Sequence, residues 1–241
     1  MKERYSRQIL FKPIGEKGQE RLASSNVVII GCGALGTTTS EMLVRAGVGK
    51  LTIADRDYVD MSNLQRQQLF TEQDALEGTP KVIAAKRHLS KLRSDVEIET
   101  ILDHVDGPLL EQLVIDADLI IDATDNFETR LLINDVAWKH GIPWIYGACV
   151  QSTGVVFPFV PGETACFRCL LPVLPSVSQT CDTAGIIAPA AQMVASYQCA
   201  EALKWLTGNE EALRTKLLHF DIWNNSFVEA GISRIKNPAC P

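Results

Sequence analysis

Residues Asn26-Val27-Val28-Ile29-Ile30 are a short run rich in β-branched side chains, and the run ends on Gly31-Cys32-Gly33-Ala34-Leu35-Gly36. An apolar run of this length, bounded by glycine, reads as a strand buried on both faces. A helical pattern follows from Leu35 to Ala46 and stops at Gly47 and Gly49. Leu51-Thr52-Ile53-Ala54 then forms a second strand that ends at the acid Asp55. Strand, glycine turn, helix, strand and acid leave few folds open, because parallel strands need a crossover helix between them. Glycines at such a turn let the backbone approach phosphate, and the helix N-terminus favours anions. Asp55 stands where a carboxylate accepts hydrogen bonds from ribose hydroxyls. Gly31, Gly33, Ala34, Gly36 and Asp55 are therefore candidate nucleotide-binding residues. The loop alone does not choose among NAD, FAD and ATP, and a tight turn that only packs helix on sheet is the plain alternative.

The same alternation continues. Pro80 stands at a first helical position and the helix runs towards Leu92. Val96 to Leu102 alternates like a strand, Leu109 to Val114 suggests a short helix, and Asp118 to Asp122 reads as a buried strand. Asn126 to His140 reads as a helix with Gly141 at its end and Pro143 just beyond, and Trp144 to Ala148 is a fifth strand. Strands alternating with helices imply a mostly parallel sheet covered on both faces. The pattern then changes. Gly154 to Val160 is a strand with no helix after it, and Phe167 to Ile187, rich in Pro, Ser, Thr and Cys, reads as a long loop. Pro189 to Leu206 carries a helical pattern, and Leu217 to Phe220 and Phe227 to Ile232 read as closing antiparallel strands. The expected fold is α/β and Rossmann-like. It is one continuous unit over residues 1–241, with a nucleotide half at about 1–150 and a second half at about 151–241 that completes the site.

Composition narrows the function classes. The chain has 241 residues, 46% hydrophobic and 22% charged, and its net charge of −6 carries no basic run. Nucleic acid is not an expected partner. No apolar stretch reaches the ~20 residues that span a bilayer, and the charged start Met1-Lys2-Glu3-Arg4 lacks an apolar signal core, so a cytoplasmic setting is expected. An odd number of cysteines, 7, argues against a disulfide framework.

Asn63, Arg66 and Lys81 follow the second strand within one crossover. Arg66 is a planar donor suited to phosphate oxygens and Lys81 a mobile point charge. Either alone reads as a solvated surface residue. Together, after a strand end and at a helix start, they point to a triphosphate. Asp122-Ala123-Thr124-Asp125-Asn126 lies at the carboxyl end of another strand, where ligands bind in such sheets. Asp125 could hold Mg²⁺ on phosphate oxygens, or serve only as a helix N-cap.

With these residues in place, the chain resembles the adenylyltransferases that activate ubiquitin-like sulfur carriers. These are the thiamine and molybdopterin biosynthesis enzymes of ThiF and MoeB type, related to ubiquitin-activating enzymes. Tyr5-Ser6-Arg7-Gln8-Ile9, the glycine loop, Ala46-Gly47-Val48-Gly49, Ser62-Asn63-Leu64-Gln65-Arg66-Gln67, Pro80-Lys81, Asp122-Ala123-Thr124-Asp125-Asn126, Cys166-Phe167-Arg168-Cys169 and Cys181-Asp182-Thr183-Ala184-Gly185 carry the resemblance. It implies that a carrier's C-terminal Gly-Gly carboxylate attacks the α-phosphate of ATP. It further implies that Asp55 holds the ribose, Asp125 the Mg²⁺, Arg66 and Lys81 the phosphates, and Arg7 the nucleotide of a neighbouring subunit in a homodimer. Asn63 and Asn126 join the nucleotide set by the same motifs, and a cysteine desulfurase is the implied sulfur donor.

Cys166 and Cys169 are half of a structural zinc site, or else a redox pair without thioredoxin-like surroundings. The resemblance implies a second pair near the C-terminus, so Cys240 becomes a third ligand and the fourth lies beyond Pro241. It also makes Cys181 the thiol that could take the activated carrier into covalent linkage, with an inert loop thiol as the alternative. Cys32, Cys149 and Cys199 read as packing residues, and the histidines show no ligand or triad spacing. Arg56-Asp57-Tyr58-Val59-Asp60 and Trp144-Ile145-Tyr146-Gly147-Ala148-Cys149 favour the thiamine branch, with the molybdopterin branch as rival. The lack of a C-terminal rhodanese-like domain sets the chain apart from longer fused relatives. An NAD-dependent oxidoreductase would explain Gly31 to Asp55 and leave Arg66, Lys81, Asp125 and the cysteine pair without roles.

Overall fold

The computed structural model describes residues 3–171 and 184–232. Strands β1 (Asn26–Ile30), β2 (Lys50–Ala54), β3 (Glu97–Ile101), β4 (Leu119–Asp122), β5 (Trp144–Val150), β6 (Thr153–Phe159), β7 (Leu217–Asp221) and β8 (Ser226–Ala230) form one sheet. Their order is β3-β2-β1-β4-β5-β6-β7-β8. The first five strands in that order run parallel, and β6, β7 and β8 continue the sheet antiparallel. The helices are α1 (Ser6–Ile9), α2 (Gly15–Ser24), α3 (Ala34–Ala46), α4 (Glu72–Leu76), α5 (Lys81–Leu92), α6 (Gly107–Val114), α7 (Phe127–His140), α8 (Phe167–Leu170) and α9 (Ala188–Leu206). The expected α/β class, mostly parallel with antiparallel closing strands, is the observed one.

Alternate side chains of β1 point to opposite faces, and both faces are covered. Val27 and Ile29 join a core layer with Leu43 of α3, Leu89 of α5 and Val194 of α9. Val28 and Ile30 join a second layer with Leu110 of α6 and Ile133 of α7. That is why β1 is apolar at every position after Asn26 rather than at every second one. From β1 the chain moves outward to β2 and β3, then returns to the other side of β1 as β4. The exits of β1 and β4 diverge there, and the crevice between them is the place where open α/β sheets bind ligands.

Three expectations need correction. Pro80 is the cap residue of α5 rather than its first helical residue, with ψ 134. It stays extended because it bridges to Tyr58 beside the end of β2. Asp125 is not the cap of α7: Asn126 is, its side chain accepting from the Thr129 N–H. The segment expected as a loop from Phe167 opens with the helical turn α8. Phe167 is wholly buried and packs 5.3 Å from the Tyr146 ring, so its aromatic contacts outweigh the polar composition that follows. Helices α1, α2 and α4 had no counterpart in the sequence pattern.

Candidate nucleotide site

The glycine loop joins β1 to α3, and each of its glycines meets a different neighbour. Gly31 has φ +98, and a Cβ there would lie 2.5 Å from the Ala123 carbonyl oxygen. A Cβ on Gly36 would lie 2.1 Å from the Gly31 carbonyl oxygen. Gly33 faces open space, with Gln67 Nε2 at 3.8 Å as its one near neighbour. Gly31 thus makes the turn and seats it on the exit of β4. Gly36 lets α3 press on the loop, and Gly33 leaves room where a phosphate would approach. Ala34 opens α3 directly after Gly33.

Asp55, just past β2, braces this loop. Its carboxylate accepts the Cys32 N–H at 2.6 Å and the Asp57 N–H at 2.7 Å. Cys32 itself points into the core, as expected. Burial raises its thiol pKa far above the ordinary range, the Asp55 charge adds to this, and the Lys81 charge opposes it. Such a thiol is inert packing, not a nucleophile.

Lys81, expected as a mobile point charge facing the phosphates, is held in place: its side chain is 9% exposed and its Nζ donates to Asp57 Oδ2 at 2.9 Å. Asn63 and Arg66 lie half-buried in the same crossover, and Arg66 Nη1 donates to the Ser62 carbonyl at 3.1 Å.

At the exit of β4, Asp122 and Asp125 part company. Asp122 is fully buried and accepts from Thr124 N–H, Thr124 Oγ1 and Arg130 Nε. Arg130 also donates to the Thr124 carbonyl at 2.7 Å and lies over the Phe127 and Tyr146 rings. Burial pulls the Arg130 pKa down, and Asp122, with Tyr146 and Asp125, outweighs it, so the guanidinium stays charged. Asp122 therefore shapes the turn from within. Asp125 is exposed on that turn, accepts no hydrogen bond among the described residues, and feels the Arg130 charge only at longer range. A carboxylate placed so is open to a cation or ligand.

Cys166 and Cys169 are both buried, with their sulfurs 3.7 Å apart. That is not a disulfide. It matches the edge of a thiolate tetrahedron, about 3.8 Å for Zn–S bonds of ~2.3 Å. Phe167 anchors the pair through the aromatic cluster and through its N–H, which donates to Asn134 Oδ1 at 2.8 Å. Among the described residues no group of three or more potential metal ligands converges. Cys181 and Cys240 lie outside the described residues. Arg7 is exposed on α1, without a partner among the described residues. No helix among the described residues is long and apolar enough to cross a membrane.

Sequence reasoning missed several residues here. Asp57 was legible only as an acid two places after Asp55. Gln67 is buried at the loop with its Oε1 unpartnered among the described residues, and it had appeared only as the last letter of a motif. Gln192 of α9 accepts from Thr38 of α3 at 2.7 Å, and no local pattern announces a contact between residues so distant in sequence.

The sheet order, the glycine loop and the acid after β2 define a Rossmann-like nucleotide-binding protein. The chain belongs to the ThiF family, whose description matches residues 5–241. It is 53% identical over 241 residues to the sulfur carrier protein ThiS adenylyltransferase of Bacillus subtilis (strain 168), covering 100% of this chain and 71% of that protein. It is 36% identical over 239 residues to the molybdopterin-synthase adenylyltransferase of Escherichia coli (strain K12), covering 98% of this chain and 94% of that one. The solved structure of E. coli MccB with ATP superposes with a TM-score of 0.83 at 26% identity, covering 98% of this chain and 73% of that chain.

Proposed function

We propose that this chain is an ATP-dependent adenylyltransferase that activates the C-terminal Gly-Gly carboxylate of a ubiquitin-like sulfur carrier, in the thiamine branch. The observation that carries this reading is the 53% identity, over the whole chain, to a ThiS adenylyltransferase. The molybdopterin branch is the second reading, supported by a 36% identical relative of almost the same length. An NAD-dependent oxidoreductase leaves Arg66, Lys81 and Asp125 around the loop unused.

In the proposed reaction a carboxylate oxygen of the carrier forms a bond to the α-phosphorus of ATP. The α–β bridging P–O bond breaks, and pyrophosphate leaves with that electron pair. Little covalent work falls to the protein, so positioning and charge neutralisation carry the rate. The Gly31–Gly36 loop receives the phosphates, and Asp55 receives the ribose on the lone pairs left by its two backbone contacts. Arg66 and Lys81, with Asn63 beside them, offset negative charge on the phosphates. Asp125, exposed and free of hydrogen bonds among the described residues, fits Mg²⁺, which prefers carboxylate and phosphate oxygens and would neutralise the departing pyrophosphate. Asn126 sets the direction of the Asp125 turn through its cap. Arg7 suits a role towards the nucleotide of a second copy, in a homodimer.

Residues 1–150 serve the nucleotide, and residues 151–241 serve the carrier and zinc. Cys166 and Cys169 offer two of four zinc thiolates at a fitting spacing, with Cys240 as a third. Buried thiols at Cys32 and Cys199 suit a reducing, cytosolic setting. Cys181 is the candidate for attack on the acyl-adenylate: a thioester forms, AMP leaves, and a cysteine desulfurase supplies sulfur later. Cys181→Ala should keep ATP–pyrophosphate exchange and impair sulfur transfer.

Carrier-dependent ATP–pyrophosphate exchange tests the main reading, run with thiamine-type and molybdopterin-type carriers. Exchange is expected with the first, and Asp125→Ala should abolish it without lowering the melting temperature. No exchange with any Gly-Gly carrier rejects the reading.

A further inference from the structure

Lys81 is held at both ends by one residue. Its backbone N–H donates to the Asp57 carbonyl at 2.9 Å, and its Nζ donates to the Asp57 carboxylate, also at 2.9 Å. Asp57 is held in turn, since its own N–H donates to Asp55 Oδ1 at 2.7 Å. A lysine otherwise spends four rotatable bonds of freedom, and its ammonium is a poor point of reference for chemistry that tolerates little displacement. Here the stem is enclosed and one of three N–H donors is fixed. No other atom of the described residues takes a hydrogen bond from Nζ, so two donors are left for a ligand. Contacts tie the ammonium to the glycine loop, because Asp55, which accepts from Asp57, also accepts the Cys32 N–H at 2.6 Å. Asp57 is 58% exposed on its side chain, so its unused lone pairs stay hydrated while it holds the lysine.

We infer that Asp57 is a positioning residue: it aims the Lys81 ammonium at the phosphates lying on the glycine loop, from the same turn that presents Asp55 to the ribose. The carboxylate does not touch the nucleotide. Its effect passes through Lys81, and the Asp55–Asp57–Lys81 chain of contacts fixes the distance between ribose acid and phosphate cation. This rests on the role given to Lys81 in the adenylation reading.

A double-mutant cycle tests it. Asp57→Ala should lower kcat of carrier-dependent exchange about 10- to 100-fold, with a smaller change in KM for ATP. Asp57→Asn keeps a neutral acceptor at the same reach and should recover most of that loss. In a Lys81→Ala background, Asp57→Ala should change activity by less than about twofold, because the residue through which it acts is gone. Losses that multiply, or an Asp57→Ala enzyme within twofold of the parent, overturn the inference. If the parent gives no exchange with any carrier, the adenylation reading fails by itself. The same cycle is then read on the Kd for Mg-ATP by calorimetry, where coupling between the two positions supports the link and additivity rejects it. Melting curves for each variant separate a misfolded protein from a mispositioned lysine.

Discussion

Gly31, Gly33 and Gly36 share a motif and differ in what each would lose. Gly36→Ala drives a methyl into the Gly31 carbonyl and should destabilise by about 1–3 kcal/mol, as overpacked sites do, read from urea unfolding. Gly33→Ala meets no protein atom closer than 3.8 Å and should cost less stability than Gly36→Ala while weakening Mg-ATP binding more. The two acids of the β4 exit divide in the same way. Asp122→Ala strands a buried guanidinium and should cost about 3–5 kcal/mol, whereas Asp125→Ala should leave unfolding unchanged. The spacing of these residues was legible in the sequence, but the division of labour was not. Asp122 and Asp125 are both acids next to a strand end, and only burial separates the one that builds the turn from the one that faces out. The hold on Lys81 was not legible for the opposite reason. A single lysine usually belongs to solvent, and the partner that encloses it lies across the crossover, 24 positions away.

Elements were legible where local chemistry decides them. β1 follows from its β-branched run, α3 from its glycine bounds and α7 from Gly141 after it, with its start read one residue early at Asn126. Asn126→Ala should therefore remove about 1 kcal/mol through the lost cap bond to Thr129, measured as a lower urea midpoint. α4 escaped notice because it is five residues held by a side-chain cluster rather than by periodicity. Burial works to raise the Asp74 carboxyl, yet bonds from Thr71, His88 and Arg87 outweigh it and hold it far below the usual carboxylate range. The turn between β7 and β8 works likewise. Hydrogen bonds from Asn224 and Ser152 bring Asp221 from 3.8 down to about 2. A carboxyl depressed in the folded state contributes stability above pH 3.8 and loses it as pH falls through about 2. Asp221→Asn should accordingly flatten that part of an acid-unfolding curve and leave the neutral region nearly parallel to the parent.

At the scale of the whole molecule, the parallel half was readable because strand and helix alternate, and the antiparallel half because the alternation stops. The strand order was not readable. Nothing local says that β4 returns beside β1, and the crevice exists only because it does. A ligand seated there stabilises every element that meets at it. Mg-ATP at about 100 times its Kd should add about 2.7 kcal/mol and raise the melting temperature, and NAD should not. The return of β4 also has a price in time. β1 is the middle of the parallel half, yet its partner on that side comes late, for Asn26 bonds to Asp118 across 92 residues. On a ribosome adding about 5–20 residues per second, that wait is on the order of 5–20 s. During that wait β1, apolar at every position after Asn26, has an unpaired edge. Nascent-chain pairing at β1 is thus the step at which a chaperone, or a second nascent copy, competes for this fold.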